Sequence, residues 1–105
     1  MKDSLSIFAR RLKAARLAKG ITQEELGIQS GIDEFSAKAR INQYENGVHS
    51  PHFEMAEKIA YTLEIPTAYF YSREDDEAEM LCLFYHMSNE AKQQLLSQVK
   101  SYDSK

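Results

Sequence analysis

The sequence has few of the features that mark secreted or membrane proteins. It contains a single cysteine, Cys82, so no disulfide can form within the chain, and this usage fits a reducing cytoplasm. No apolar run approaches the roughly 18 residues that a membrane-spanning helix needs. The first residues, Met1 to Leu5, lack the apolar centre of a signal peptide. We therefore expect a cytoplasmic chain without a membrane segment.

Motifs that support catalysis are also missing. The sequence has no glycine-rich phosphate loop, no nucleophile motif and no His or Cys spacing suited to a metal ion. The acidic pairs Glu24-Glu25 and Asp75-Asp76 are adjacent, and neighbouring side chains diverge by about 100° on a helix, so they do not share a site. The sequence predicts no enzyme activity and no cofactor.

The charge is distributed unevenly along the chain. Residues 1–73 contain ten Lys or Arg and nine Asp or Glu, whereas residues 74–105 contain three and seven, so the overall charge of −3 hides a local excess of positive charge. Six basic residues and one acidic residue lie within residues 1–19. Because salt screens charges beyond about 8–10 Å, a phosphate responds to that local excess. A basic helix that is merely solvated remains an equal alternative.

Apolar residues at three- and four-residue spacing predict helices, and no segment alternates as a strand does. The first helix is marked by a stripe of Leu5, Phe8, Leu12 and Ala15. Gly20 is placed to end this helix. Thr22 and Glu25 form a capping box that opens the second helix, in which each side chain satisfies a free backbone amide of the first turn.

Further helices follow towards the C-terminus. The third is expected from about Ser36, as N-cap, to Asn46, and a fourth from Pro51. A short fifth helix is predicted over 67–71, capped by Thr67, and the charged segment 72–77 is predicted to be a linker. Two more helical stretches follow, with apolar residues at 80–87 and 91–102. The predicted fold is all-α: a five-helix domain over residues 1–72 and an acidic helical extension over residues 73–105.

The segment from Thr22 to Gly47 carries the functional information. Two short helices joined by a tight turn, with an amphipathic helix on each side, are typical of a helix-turn-helix, whose second helix enters the major groove of DNA. This geometry needs small residues where the two helices cross. Gly27 is placed for that contact and Gly31 for the turn.

At this level of detail the sequence resembles the Xre/Cro-type, phage-repressor-like helix-turn-helix family. The resemblance rests on Arg16-Leu-Ala-Lys-Gly-Ile-Thr-Gln-Glu-Glu-Leu-Gly, on Ile41-Asn-Gln-Tyr-Glu-Asn-Gly and on the segment from Phe53 to Tyr71, and it covers roughly residues 5–71. It implies a lambda-repressor-like fold and DNA binding. The chain departs from the family pattern between Gly31 and Ile41, where about four extra residues lengthen the turn or the start of the third helix.

The resemblance also implies roles for individual residues. It implies a structural ion pair between Arg16 and Glu45, which would join the first and third helices. It implies a phosphate contact for Gln23, at the start of the second helix. Asn46 and His49 match positions that clamp the DNA backbone, and His49 stands where Lys or Arg is frequent, which suggests a weaker or pH-sensitive contact.

The third helix supplies the predicted base contacts. If Ile41 and Tyr44 face the core, the opposite face carries polar side chains that suit DNA. The predicted DNA-binding residues on this helix are Ser36, Lys38, Arg40, Asn42, Gln43 and Asn46. Arginine pairs with guanine, and asparagine or glutamine with adenine, so we assign base readout to Arg40, Asn42 and Gln43. An outward polar face without such a motif is usually only solvated.

The predicted function is sequence-specific binding of double-stranded DNA for transcriptional control, with repression as the expected outcome. A single recognition helix reads few base pairs, so we expect a homodimer on a pseudo-palindromic operator, with the extension contributing to the dimer interface. Two alternatives stay open. One is an antitoxin-like module that neutralises a partner protein through the extension, and the other is an enzyme accessory subunit that uses the fold as a scaffold.

Overall fold

A computed structural model of the protein describes residues 6–103, which are all-helical apart from turns and loops. The helices are α1 (Ile7–Lys19), α2 (Gln23–Gln29), α3 (Ala37–Glu45), α4 (Phe53–Leu63), a 3-10 helix (Thr67–Tyr71), α5 (Asp75–Tyr85) and α6 (Asn89–Asp103). The predicted all-α class is confirmed. Met1 to Leu5, including the first residue of the predicted apolar stripe, lie outside the described residues. No helix of the described part is long and apolar enough to cross a membrane.

Local capping determines the ends of the first two helices. The Ser6 hydroxyl accepts a hydrogen bond from the Ala9 amide at 3.0 Å, and Gly20 ends α1 in the left-handed conformation. The capping box of α2 is present in full: the Thr22 amide donates to Glu25 Oε1 at 2.8 Å, and the Glu25 amide donates to Thr22 Oγ1 at 3.0 Å. The predicted end of α1 at Gly20 and the predicted capping box are confirmed, because both depend on groups within four residues of one another.

Ser36 occupies the predicted N-cap position of α3, although its hydroxyl makes no capping bond. Two other predicted boundaries differ from the structure. Helix α4 begins at Phe53 rather than at Pro51. Thr67 is the first residue of the 3-10 helix and does not cap it, since the preceding residue holds the N-cap position.

The segment predicted as a linker, residues 72–77, is structured. Ser72 is buried, and α5 already begins at Asp75. Arg11 of α1 holds this segment: its Nε donates to the Ser72 carbonyl at 3.0 Å and its Nη2 to the Arg73 carbonyl at 3.2 Å, while Nη1 lies 3.1 Å from Asp75 Oδ1. The predicted linker is therefore limited to residues 72–74, which Arg11 holds through two carbonyls, and the rest of the segment belongs to α5.

The core lies among α1 to α4 and the 3-10 helix. Its buried members are Phe8, Leu12, Ala15, Leu26, Ile32, Ala37, Ile41, Tyr44, Ala56, Ile59, Ala60, Leu63 and Phe70. Helices α2 and α3 touch where Gly27 meets Ala37, and a Cβ added at Gly27 would lie 2.6 Å from the Ala37 Cβ. Gly31 adopts φ of 93° in the turn that follows, a conformation that side chains disfavour. Both glycines are therefore required where the sequence predicted them.

The extension stands apart from this core. Ala78 is the one buried residue of α5, and none of the side chains at 89–102 of α6 is buried. The radius of gyration is 15.6 Å, whereas a compact chain of this length is expected to have about 13 Å. Cys82 is half-buried, and burial raises the pKa of its thiol, which keeps it protonated and fits a packing role. The extension is thus an arm that projects from the five-helix body.

Candidate nucleic-acid interface

A buried ion pair positions the third helix. Arg16 of α1 donates from Nε to Glu45 Oε2 at 2.5 Å and from Nη2 to Glu45 Oε1 at 3.1 Å, and both residues are buried. A third bond runs from Arg16 Nη1 to the Ile21 carbonyl at 3.0 Å. The hydrogen bond with Glu45 raises the pKa of Arg16 against the opposing effect of burial. The pair that the family resemblance implied is confirmed, and it fixes the end of α3 against α1.

A chain of side-chain amides extends this ion pair to the surface. Gln23 Nε2 donates to Glu45 Oε1 at 3.0 Å and to Asn42 Oδ1 at 3.2 Å. Asn46 Nδ2 donates to the same Asn42 Oδ1 at 3.1 Å and to the Asn42 carbonyl at 2.9 Å. The start of α2 and the last turn of α3 are therefore connected through Asn42. Gln23, Asn42 and Asn46, which were all predicted as DNA-binding residues, are therefore adjacent, and hydrogen bonds to Asn42 orient the other two.

The outer face of α3 carries the remaining predicted residues of that helix. Ala37, Ile41, Tyr44 and Glu45 are buried, whereas Ser36, Lys38, Ala39, Arg40, Asn42 and Asn46 are exposed and Gln43 is half-buried. Arg40 Nη1 donates to the Tyr44 hydroxyl at 3.2 Å, which holds the guanidinium along the helix surface. The division between an apolar and a polar face agrees with the helical register that was predicted from Ile41 and Tyr44.

A polar cleft of about 490 Å³ lies between α1, the start of α2 and α3. Its lining consists of Lys13, Arg16, Thr22, Gln23, Glu24, Lys38, Asn42, Glu45 and Asn46. Two exposed lysines, Lys13 and Lys38, face it from opposite helices. Sequence reasoning did not select Lys13 as a site residue. The spacing of Lys13 from Arg16 could have identified it. A residue three positions before Arg16 lies on the same side of α1 and therefore faces α3 as well.

Some predicted residues lie outside this cleft. Ser36, Arg40 and Gln43 belong to the outer face of α3, and His49 is exposed in the loop before α4; none of them lines the cleft. The basic charge of α1 is also smaller at the surface than the sequence suggests. Arg11 and Arg16 are buried, and Lys19 forms an exposed bond of 2.9 Å with Glu64, whose pKa the lysine lowers. Of the basic residues of α1, Arg10 and Lys13 remain exposed without a protein partner among residues 6–103.

The described residues contain no group of three or more His, Cys, Asp or Glu that could hold a metal ion. The geometry instead presents amide, hydroxyl, ammonium and guanidinium donors on one polar surface. Donors of this kind bind phosphate oxygens and the acceptors of base edges.

Comparison with known proteins agrees with this geometry. A family model described as Helix-turn-helix matches residues 12–70, and the chain belongs to this Xre/Cro-like family. A crystal structure of the transcriptional regulator BswR is similar over 89% of this chain and 92% of its own, with 42% identity and a TM-score of 0.82. No curated protein matches the sequence. The family resemblance, stated for roughly residues 5–71, is thus confirmed, and the likeness in structure extends into the helical extension.

Proposed function

We propose that this protein is a transcription regulator that binds duplex DNA and reads its sequence through the major groove with α3. The observation that carries the proposal is the division of α3 into two faces. Its inner face is fixed by the core and by the Arg16–Glu45 pair, while its outer face presents exposed polar side chains. A helix held in this way presents its donors in one fixed orientation, which base recognition requires.

The hydrogen bonds separate base readers from phosphate contacts. Arg40 uses one of its five N–H donors on Tyr44, so a guanidinium edge is left for guanine, and Gln43 lies one turn from Ala39 and Arg40. Asn42 Oδ1 already accepts two hydrogen bonds. Bidentate pairing with adenine uses both Oδ1 and Nδ2, so it would require these two bonds to break. We therefore assign Asn42 Nδ2, Lys13 and Lys38 to phosphates around the polar cleft. Gln23 and Asn46 belong to the same set, but both N–H donors of each side-chain amide are already used within the protein, so a phosphate would replace one of those bonds.

Ser36 and His49 complete the proposed surface at its two ends. Ser36 immediately precedes α3, and recognition helices contact base edges with their N-terminal residues. His49 follows α3 by four residues and is exposed, which suits a contact with the DNA backbone beyond the helix. The surface therefore combines base contacts along α3 with phosphate contacts on either side of it.

The functional form that we propose is a homodimer bound to a pseudo-palindromic operator in the cytoplasm, where it represses transcription. The extension supplies the interface, since its apolar side chains find too few partners within the chain. Met80, Leu83, Tyr85, Leu96, Val99 and Tyr102 are exposed on α5 and α6. Leu83 retains 57% of its accessible surface, although it lies in the middle of α5. A second copy offers the same surface, so twofold pairing covers both at once.

Selection from random duplex DNA followed by binding titrations tests the proposal. We expect one enriched sequence with twofold symmetry and half-sites about one helical turn apart, and binding that weakens steeply as salt is raised. Salt-dependent binding without an enriched sequence would contradict sequence reading by α3. An absence of salt-dependent binding would contradict DNA binding altogether and would favour the scaffold alternative.

The exposed apolar side of the extension also favours a second candidate function. An antitoxin-like module would use this side to cover a partner protein of a different sequence. The two candidates differ in the free chain. A regulator that dimerises through the extension is dimeric and binds its operator without a partner, whereas a neutralising module leaves Leu83 and Val99 exposed until the partner is added.

A further inference from the structure

The turn between α2 and α3 carries the most exposed large apolar side chain of the described residues. Phe35 retains 89% of its accessible surface, whereas Phe8 and Phe70 are buried in the core. Single exposed apolar residues are common on proteins, so exposure alone indicates nothing about function. What distinguishes Phe35 is where the chain places it and how firmly its backbone is held.

Two hydrogen bonds hold the backbone on either side of this side chain. The Phe35 amide donates to Asp33 Oδ2 at 3.0 Å, and the Ser36 amide donates to the Asp33 carbonyl at 2.9 Å. Ala37, the first residue of α3, is buried against Gly27. Phe35 is therefore attached through a closed turn to the N-terminal end of α3.

The charge of the turn limits what it can contact on DNA. Asp33 and Glu34 are exposed acidic residues beside Phe35. Both would be repelled by the phosphate backbone, so the tip of the turn is disfavoured there. Base edges in the major groove offer one apolar group, the C5-methyl of thymine, and phenylalanine is among the side chains that contact it.

We propose that Phe35 packs against a thymine methyl group in the major groove and adds a thymine preference to each half-site. The inference rests on the proposed function and deepens it. The extra residues between Gly31 and Ile41 extend the reading surface beyond the N-terminus of α3, and the preferred thymine lies next to the bases read from Ser36 and Arg40.

Replacing thymine by deoxyuridine tests this contact, because the exchange removes the methyl group and leaves base pairing intact. The duplex is the sequence enriched by selection, with one thymine replaced at a time on each strand. For the unmodified protein, we expect one position per half-site at which the exchange lowers affinity about fourfold, the value of one buried methyl group. In Phe35→Ala, the affinity should no longer depend on the exchange at that position. The effect of the exchange at every other position should be the same as in the unmodified protein.

Two variants serve as controls. Tyr61→Ala removes an aromatic side chain of similar exposure, 82%, from α4, and it should keep the complete deoxyuridine profile. Phe35→Leu keeps an apolar group and should retain part of the sensitivity. A deoxyuridine profile that is the same in Phe35→Ala and the unmodified protein overturns this inference alone. The inference is equally overturned if Phe35→Ala reduces the effect of the exchange to the same extent at every position. Failure to enrich any sequence overturns the proposed function and this inference together.

Discussion

The body and the extension use the same kind of amphipathic helix with different results. In the body, buried apolar residues of α1 to α4 and the 3-10 helix meet in one core. In the extension, α5 and α6 contain apolar residues of similar size, yet Ala78 is the only buried residue of α5 and none is buried over 89–102. An apolar stripe therefore predicts that a helix makes a contact, but not which molecule provides the partner.

Helix α1 connects the two regions through two arginines. Arg16 is buried beside Glu45 and fixes α3, which carries the face that we propose reads DNA. Arg11 is buried beside the carbonyls of Ser72 and Arg73 and fixes the start of α5. The same helix therefore determines how the reading face is oriented relative to the arm. For a dimer that pairs through the arm, this relation determines the distance between the two reading helices.

The largest effect is expected in the body, at the pair between Arg16 and Glu45. Glu45→Ala leaves the Arg16 guanidinium buried without its partner and should lower the free energy of unfolding by about 3–5 kcal/mol, as measured by denaturant titration. Glu64→Ala, which removes the exposed partner of Lys19, is the matched control and should change stability little. Equal losses in the two variants would contradict the structural role of the buried pair.

A substitution in the extension should change the oligomeric state of the protein rather than its free energy of unfolding. Leu83→Asp places a charge on the exposed apolar side of α5, so the chain should become a folded monomer in sedimentation velocity at micromolar concentration. Operator affinity should fall by about a hundredfold, because the two half-sites are no longer linked. Gln93→Asp adds the same charge at an exposed polar position of α6 and should remain dimeric. A Leu83→Asp dimer would show that the interface lies elsewhere.

The contact between α2 and α3 should show an intermediate loss. Gly27→Ala places a Cβ 2.6 Å from the Ala37 Cβ and 2.9 Å from the Ala37 Cα, so the helices must separate. We expect a loss of about 1–3 kcal/mol in the free energy of unfolding, together with weaker operator binding as α3 shifts. Gln29→Ala changes an exposed residue of the same helix and should have no such effect. Unchanged stability in Gly27→Ala would mean that the crossing is looser than described.

The smallest effect is expected at the reading face itself. Arg40→Ala should lower operator affinity by about tenfold and relax the preference at one base pair, with stability unchanged, because the side chain is exposed. Titrations against operators with single base-pair changes measure both effects. Lys58→Ala removes the same charge from α4 and should preserve the base preference. A loss that is equal for all sequences would identify Arg40 as a phosphate contact.

Sequence reasoning was most successful where the interacting groups are close along the chain. The capping box at Thr22 and Glu25, the end of α1 at Gly20 and the two faces of α3 follow from spacings of a few residues. The Arg16–Glu45 pair came from the family resemblance, since nothing in the spacing of two distant charges indicates that they meet. The residues of the proposed DNA surface remain predictions until binding is measured.

Interactions between distant segments were outside the reach of sequence reasoning. Arg11 looked like one more basic residue of a charged helix, yet it binds a carbonyl group 61 residues later in the sequence. Asn42 was predicted to read bases, and the structure adds that its oxygen accepts a bond from Gln23, which lies 19 residues earlier on another helix. Such contacts depend on how the helices pack against one another, which the local sequence pattern does not encode.

The presence of the helices, the caps at Gly20 and Thr22, the small residues at the crossing of α2 and α3 and the family follow from the sequence, because each depends on local periodicity, short-range hydrogen bonding or a motif. Which charges are buried and which are exposed depends on the tertiary structure. Lys13 faces the polar cleft and Arg11 holds the arm, although both lie on α1 and carry the same charge. The physical reason is that a charge is buried only where the fold supplies enough acceptors to replace its water.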